Sequence, residues 1–488
     1  MEFRPVHLCI IQPLGYVHSL GFLDQARYLR YQFRRFGVDV TIAKNRLKHG
    51  AVNVVLGAHL GFDPELRKRY ACIFFNLEQM GEGGAQVSDA YRQLLGTSAV
   101  FDYDEGNPPH YTSYVEDVPL LSFGHAPYLD TSSIALNERP IDLLFFGSMN
   151  ERRRRIIQEI EDAGGHVTLL DGPVYGPERD VLIRQSKAVL NCHYYESARF
   201  EQARVFQCLS LGTPVISERL AATRPAAQFE NAVFWVPEGG WQAFIRGQFL
   251  TEGFASAAQH KLQSFQQHDL VEGYADAFVF AQSFAAAHLE RIASGPWTPD
   301  RLHIGSGKDY RNGWLNVDIL PAALPDVILD LGQKQSWPQR LCSDTVGEVD
   351  LQPEAVKLIY ADNVLEHVPD LSTFMGNCLT LLEEGGRMEI EVPYEHANSA
   401  WQDPTHIRAM NEASWVYYTD WFWSLGWFDF RFQVKDFEYL DLARRPCSKA
   451  GAHFMKVVLV KQLTTLAERM TARTMQQDFG GVSDDFCF

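Results

Sequence analysis

Short apolar runs alternate with segments of helical period for most of the chain, and that alternation leaves few folds open. Residues 6–11, 38–43, 52–56, 71–76 and 99–103 read as strands, with a helical period over 25–36. A second set holds strands at 141–146, 166–170, 188–192, 215–217 and 233–236. A third holds 302–304, 314–317, 327–330, 357–360 and 387–392. Strand–helix alternation of this kind builds parallel sheets covered by helices on both faces. The expected class is therefore α/β, and 488 residues leave room for roughly three such sheets.

The totals exclude several functions. Hydrophobic residues make up 46% and charged ones 22%, the balance of a globular protein with ordinary cores. A net charge of −17 argues against a general binder of nucleic acid or anionic membrane, since positive fields hold both. The eight cysteines contain no Cys-x-x-Cys pair, so reduced thiols in a cytoplasmic setting are expected, with no zinc knuckle. The opening residues MEFRPVHLCIIQP lead directly into a strand without signal-peptide architecture. The most apolar helical stretch, 274–289, contains Asp276, Gln282 and His288 and reads as a packed helix, leaving at most peripheral membrane contact.

Within the last third, the run LHIGSGKDYRNGWLNVD places Gly305-Ser306-Gly307 after one strand and Asp318 at the end of the next. Glycines there let backbone approach a ligand closely, and a carboxylate in that position can accept both hydroxyls of a ribose. Asp330 ends a further strand-like run, and Asn363 opens NVLEHV. Then LLEEGGRMEIEVP closes a helix and starts a strand. In this order, these motifs resemble a class I S-adenosylmethionine-dependent methyltransferase over about residues 298–460, with one Gly-x-Gly where GxGxG is usual. The resemblance implies that Gly305, Ser306, Gly307, Asp318, Asp330 and Asn363 hold S-adenosylmethionine. A base for the acceptor is expected among His406, Asp403 and His367, near the methyl position and in the following acceptor loop. The aromatics of 415–432 read as core, or as a platform for sugar rings.

The first two-thirds carry a second resemblance. A turn, Gly147-Ser148, is followed by a helix that Asn150 caps and that opens with Arg152-Arg153-Arg154-Arg155. Cations in a first turn oppose the helix dipole unless an anion is present, so Arg152 or Arg153 is expected to reach a phosphate. Downstream, VLNCHYYESARFEQARVFQCLSLGTPVISE resembles the donor half of two-Rossmann (GT-B) glycosyltransferases. That resemblance implies a nucleotide-sugar donor among Gly147, Ser148, Arg152, Arg153, Tyr195, Glu196, Glu201 and Thr213. Gln207 stands where many members have glutamate, leaving Glu196 or Glu201 as the donor acid. The donor half, 136–295, contains no Asp-x-Asp, so no metal is expected, and His18 in the turn after the first strand is the candidate base.

The expected organisation is thus an acceptor domain at 1–135, a donor domain at 136–295, a methyltransferase domain at 298–462, and a helix and tail at 463–488. Residues 294–299, SGPWTP, would link the modules. The helical stretch 271–292 would close the donor domain. The pairing implies a bifunctional enzyme that transfers a sugar and O-methylates a sugar hydroxyl, as in bacterial surface polysaccharide synthesis. Its partners would be a nucleotide sugar and a glycan or lipid-linked glycan acceptor. One alternative keeps only the methyltransferase active beside a degenerate glycan-binding module.

Overall fold

The computed structural model describes residues 3–81, 83–170, 172–195, 197, 199–291 and 295–476. Glu196, Ser294 of the expected linker and the tail from 477 lie outside them. The chain divides into two compact units, 1–292 and 293–488.

The first unit holds two parallel sheets. Strands β1 (Val6–Ile10), β2 (Val40–Lys44), β3 (Val52–Leu56), β4 (Ala71–Asn76) and β5 (Ala99–Asp102) form one, in the order β2-β1-β3-β4-β5. Strands β6 (Ile141–Phe145), β7 (Val167–Leu169), β8 (Ser186–Asn191), β9 (Val215–Arg219) and β10 (Phe234–Pro237) form the other, in the order β10-β9-β8-β6-β7. Counted from its own first strand, each sheet reads 2-1-3-4-5. The same topology occurs twice with no sequence repeat. Strand order reverses beside β1 and β6, and ligands of open parallel sheets bind outside the carboxyl ends at such points.

The helix Val271–Leu289 departs from expectation. It packs on β3 and β4 of the first sheet instead of closing the second. Phe278 stacks on Phe36 with ring centres 5.0 Å apart, and Gln282 Oε1 accepts from the Arg4 amide at 2.9 Å. Tyr274, from the same helix, joins Tyr28 in a buried aromatic cluster with Phe123 and Phe206. The returning helix therefore ties the end of this unit to its beginning.

The second unit has one seven-stranded sheet, from β11 (Arg301–Ile304), β12 (Leu315–Asp318), β13 (Val327–Ile328), β16 (Val356–Asp362), β17 (Leu382–Pro393), β18 (Phe430–Leu440) and β19 (Phe454–Leu463). Its order is β13-β12-β11-β16-β17-β19-β18. The first five run parallel; β19 enters antiparallel beside β17, and β18 pairs antiparallel with β19. A separate hairpin joins β14 (Gln339–Ser343) and β15 (Gly347–Leu351). No helix lies between β11 and β12, whose connection is a turn-rich loop. The helix Leu371–Leu381, capped by the Asp370 carboxylate on the Thr373 amide at 2.9 Å, makes the crossover from β16 to β17. All three sheets are of the α/β, Rossmann-like kind expected. Among the described residues no helix is long and apolar enough to cross a membrane.

Candidate functional sites

A cleft of about 870 Å³ opens between the two sheets of the first unit, on the side of their carboxyl ends. From the first lobe come Tyr16, His18, Asp24 and Glu78; from the second come Gly147, Ser148, Arg153, Tyr195, Glu201 and Arg204. His18 sits on a 3-10 turn, Val17–Gly21, just past β1, and its Nδ1 meets the Tyr175 hydroxyl at 2.9 Å. That contact leaves Nε2 for a ligand. Gly147 lies just past β6 with φ +127, and a Cβ there would lie 3.1 Å from Arg204 Nη2. The Asn150 carboxamide caps the helix Glu151–Asp162 by accepting from the Arg153 amide at 2.9 Å, as the sequence indicates.

The arginines divide differently from expectation. Arg152 turns away from the cleft. It pairs through both terminal nitrogens with the buried Glu218, at 2.8 Å for Nη1, and donates to the His193 carbonyl. Arg153 is buried against Phe145 and Tyr194. It donates to the Cys192 and Ser148 carbonyls at 2.9 and 2.8 Å and to Glu201 at 3.1 Å. Its work is to hold the turn and the acid in place. Of the arginines lining the cleft, Arg153, Arg179 and Arg204, the one with a buried nitrogen left unpartnered among the described residues is Arg204, absent from the sequence reading. It pairs with Glu201 at 2.8 Å, while its Nη1 is buried without a hydrogen-bond partner among the described residues. Arg204 stands in the first turn of the helix Gln202–Ser210. The dipole argument applied to Arg152–Arg155 would have flagged it too.

Burial pushes the Glu201 carboxyl up, but Arg204 and Arg153 outweigh it, and its pKa falls below the ordinary value. Gln207 also lines the cleft and donates to Asp180 at 3.3 Å; Asp180 and Asp24 both pair with the buried Arg179. A glutamate at 207 would set a carboxylate against that of Asp180 in place of a donor. Thr213 is not in the cleft. It is fully buried, accepting from Arg139 at 2.9 Å and donating to the Ile183 carbonyl at 2.8 Å. The turn it belongs to leads from a helix into β9, so it lies at the amino ends of the strands, opposite the ligand side.

In the second unit, order reverses beside β11, and the loop there carries the glycines. Gly305 has φ +65, and a Cβ on it would fall inside 3.0 Å of Val364 Cγ2. The Gly307 amide donates to Asp318 Oδ2 at 2.9 Å, and Asp318 Oδ1 accepts from the Leu320 amide at 2.9 Å. Each carboxylate oxygen keeps a lone pair for a further donor. Ser306 is buried, and its Oγ has no partner among the described residues. Asn363 follows β16 with φ +51, beside the same loop through Val364. Asp330 is exposed and accepts from the Gly332 amide at 2.8 Å.

His367, His406 and Asp403 do converge. The imidazole centres of His367 and His406 are 4.7 Å apart, and Asp403 Oδ2 is 3.9 Å from His406 Nε2. The sequence reading missed Glu366, whose Oε1 lies 3.9 Å from the same nitrogen. Burial pushes the Glu366 carboxyl up to about 7. Of the aromatics between 415 and 432, Trp415, Tyr418 and Phe422 are core, while Tyr417 and Trp421 are about half exposed and packed edge to face at 5.3 Å.

No protein-family model matches the chain. An uncharacterised protein of Acanthamoeba polyphaga mimivirus, L140, is 25% identical over 162 residues, which is 31% of this chain; the chain spans about half, 50%, of that relative's length. Among solved structures, the glycosyltransferase WaaG, involved in lipopolysaccharide biosynthesis, is 14% identical with a TM-score of 0.35, covering 59% of this chain and 100% of that one. A methyltransferase dependent on S-adenosylmethionine from Archaeoglobus fulgidus is 15% identical with a TM-score of 0.23, covering 39% and 100%. One from Mesorhizobium loti is 13% identical with a TM-score of 0.22, covering 33% and 90%. At such identities likeness reaches no further than architecture, and the functional reading rests on the residues.

Proposed function

We propose that the chain is a bifunctional transferase. The first unit would move a sugar from a nucleotide donor to a glycan or lipid-linked glycan. The second would methylate a sugar hydroxyl with S-adenosylmethionine, in cytoplasmic synthesis of a surface polysaccharide. The observation that carries the first activity is the buried Nη1 of Arg204, unpartnered among the described residues, beside the Gly147-Ser148 turn. A buried cationic donor without a partner is costly unless a ligand supplies the acceptor. A donor diphosphate would do so, with the amino end of the helix Glu151–Asp162 adding its dipole. Charge developing on the leaving diphosphate would meet Arg204 without a metal. Glu201, held ionised, would accept from the donor's hydroxyls, and Tyr195 would flank it. His18, across the cleft with Nε2 free, would take the acceptor's proton.

The second unit's residues fit S-adenosylmethionine. Its loop has a cradle that a Cβ on Gly305 would fill, an orphaned hydroxyl on Ser306 and an acid with spare lone pairs on Asp318. When bound, that cofactor supplies a methyl group activated on a sulfonium. Asp318 would orient the ribose, and Asn363, in a left-handed conformation that asparagine tolerates, would shape the neighbouring wall. The acceptor's proton would pass to a group in the cluster of His367, His406 and Asp403.

Incubation of the protein with nucleotide sugars, and separately with the labelled methyl donor, on a glycan panel tests both halves. Sugar and methyl incorporation are expected. Donor hydrolysis without transfer to any glycan, in the first assay, would favour the degenerate module over a glycosyltransferase.

A further inference from the structure

We propose that Glu366, His367 and His406 form a binding site for a divalent first-row transition-metal ion. One ligand atom from each of the three lies within 4.8 Å of the others. Metal–ligand bonds near 2.1 Å put tetrahedral ligand atoms about 3.4 Å apart, so closure by about 1.4 Å or less would seat an ion. The Glu366–His406 separation of 3.9 Å is already within about 0.5 Å of that.

The independent pointer is Glu366. Its side chain is 2% exposed, yet neither carboxylate oxygen has a hydrogen-bond partner among the described residues. A buried carboxylate is ordinarily paired or on a metal. The two histidines are oriented for the second case. His406 Nδ1 faces the Ala400 carbonyl at 3.0 Å; His367 Nδ1 faces the Thr405 carbonyl at 3.2 Å and the Thr405 hydroxyl at 3.0 Å, whose own proton goes to Asp403. A carbonyl only accepts, so each Nδ1 carries the proton and each Nε2 keeps a free lone pair. Such outer contacts are how proteins fix histidine ligands.

The backbone holds both segments together. The Ile407 amide donates to the Glu366 carbonyl at 3.0 Å, and Arg408 donates to the carbonyls of Val368 and Pro369 at 2.7 and 2.8 Å. Two imidazoles and one carboxylate suit Zn²⁺, Mn²⁺, Fe²⁺ or Co²⁺, not Ca²⁺ or Mg²⁺, which prefer all-oxygen sets. Asp403 lies next to the group, its Oδ2 3.9 Å from His406 Nε2. Ion binding does not depend on the methyltransferase reading; what the ion does rests on it. There, an ion with open positions would bind the acceptor's hydroxyl oxygen and lower its pKa, so that its proton could leave to solvent water with the histidines held as ligands.

The test uses the full chain, stripped with chelator and titrated with Co²⁺ while visible absorption is followed. One equivalent with a ligand-field band is expected, displaced by Zn²⁺. Glu366→Gln and His406→Asn should each weaken uptake by about tenfold or more, with unchanged circular dichroism as the folding control. No band, or equal uptake by both variants, overturns the site. Calorimetry with S-adenosylmethionine on the same sample separates the two claims. Cofactor binding without Co²⁺ uptake sinks the metal site alone, and Co²⁺ uptake without cofactor binding sinks the methyltransferase reading alone.

Discussion

Replacing Gly305 by alanine should strike the second unit in two separable ways. The first is backbone: at φ +65 an L-residue pays about 1–2 kcal/mol relative to glycine. The second is steric, because the new methyl would fall inside 3.0 Å of Val364 Cγ2. Val364 is partly buried against the core of this unit, and forcing such a side chain aside costs about 1–3 kcal/mol. Gly305→Ala should therefore cost about 2–5 kcal/mol. Val364→Ala removes the atom in the way but leaves φ untouched, so in that background the same change should cost only the backbone share. The expected coupling between the two sites is about 1–3 kcal/mol, favourable in the double variant. Urea unfolding followed by tryptophan fluorescence reads this unit, since eight of the ten tryptophans lie beyond residue 293. If Gly305→Ala costs the same in both backgrounds, the loop is not packed as described.

Further expectations concern the cleft and its support. Arg204→Ala should weaken binding of a nucleoside diphosphate by about 1.5–3 kcal/mol, measured by calorimetry in EDTA, because a charged donor to the phosphate is lost. Arg152→Ala should instead destabilise the fold by about 3–5 kcal/mol, seen in thermal unfolding, since Glu218 would be left buried without its counter-charge, keeping the His193 amide as a donor. His18→Ala should abolish sugar transfer while leaving nucleotide affinity within twofold or so, the pattern of a base that touches only the acceptor. Equal loss of affinity in that variant would remove His18 from its proposed role.

What the sequence disclosed was chiefly local. The Asn150 cap and the glycines at 147, 305 and 307 act within a few residues, and their types alone name the conformation. The division of labour among the arginines was not local. Arg152 is taken by Glu218, 66 positions away, and no spacing rule announces that pair. Arg204 was readable by the dipole argument already applied to its neighbours. Thr213 was readable as well, because a turn between a helix and the following strand belongs to the amino edge of a parallel sheet. The last two strands, β18 and β19, escaped for a physical reason. FRFQVKDFEYL is half exposed and alternates charges with aromatics, and Lys456 and Lys461 interrupt the apolar run of its partner. Lys461 is nonetheless buried, its ammonium donating to the Leu382 carbonyl at 2.8 Å. The helix Val271–Leu289 was recognised as an element, but its docking on the first sheet depends on Phe36 and Arg4, far upstream.

The central claim is that one chain holds two independent ligand sites, one in each unit. Sequential calorimetry on the full chain in EDTA tests it most directly, with S-adenosylmethionine titrated first and then UDP, GDP and ADP in turn. The account predicts one equivalent of the methyl donor and one of a single preferred nucleotide, each with the same affinity whether or not the other is bound. Asp318→Ala should weaken only the first, by about 1–3 kcal/mol, and Arg204→Ala only the second. Competition between the two ligands, or no heat from S-adenosylmethionine at all, would contradict it.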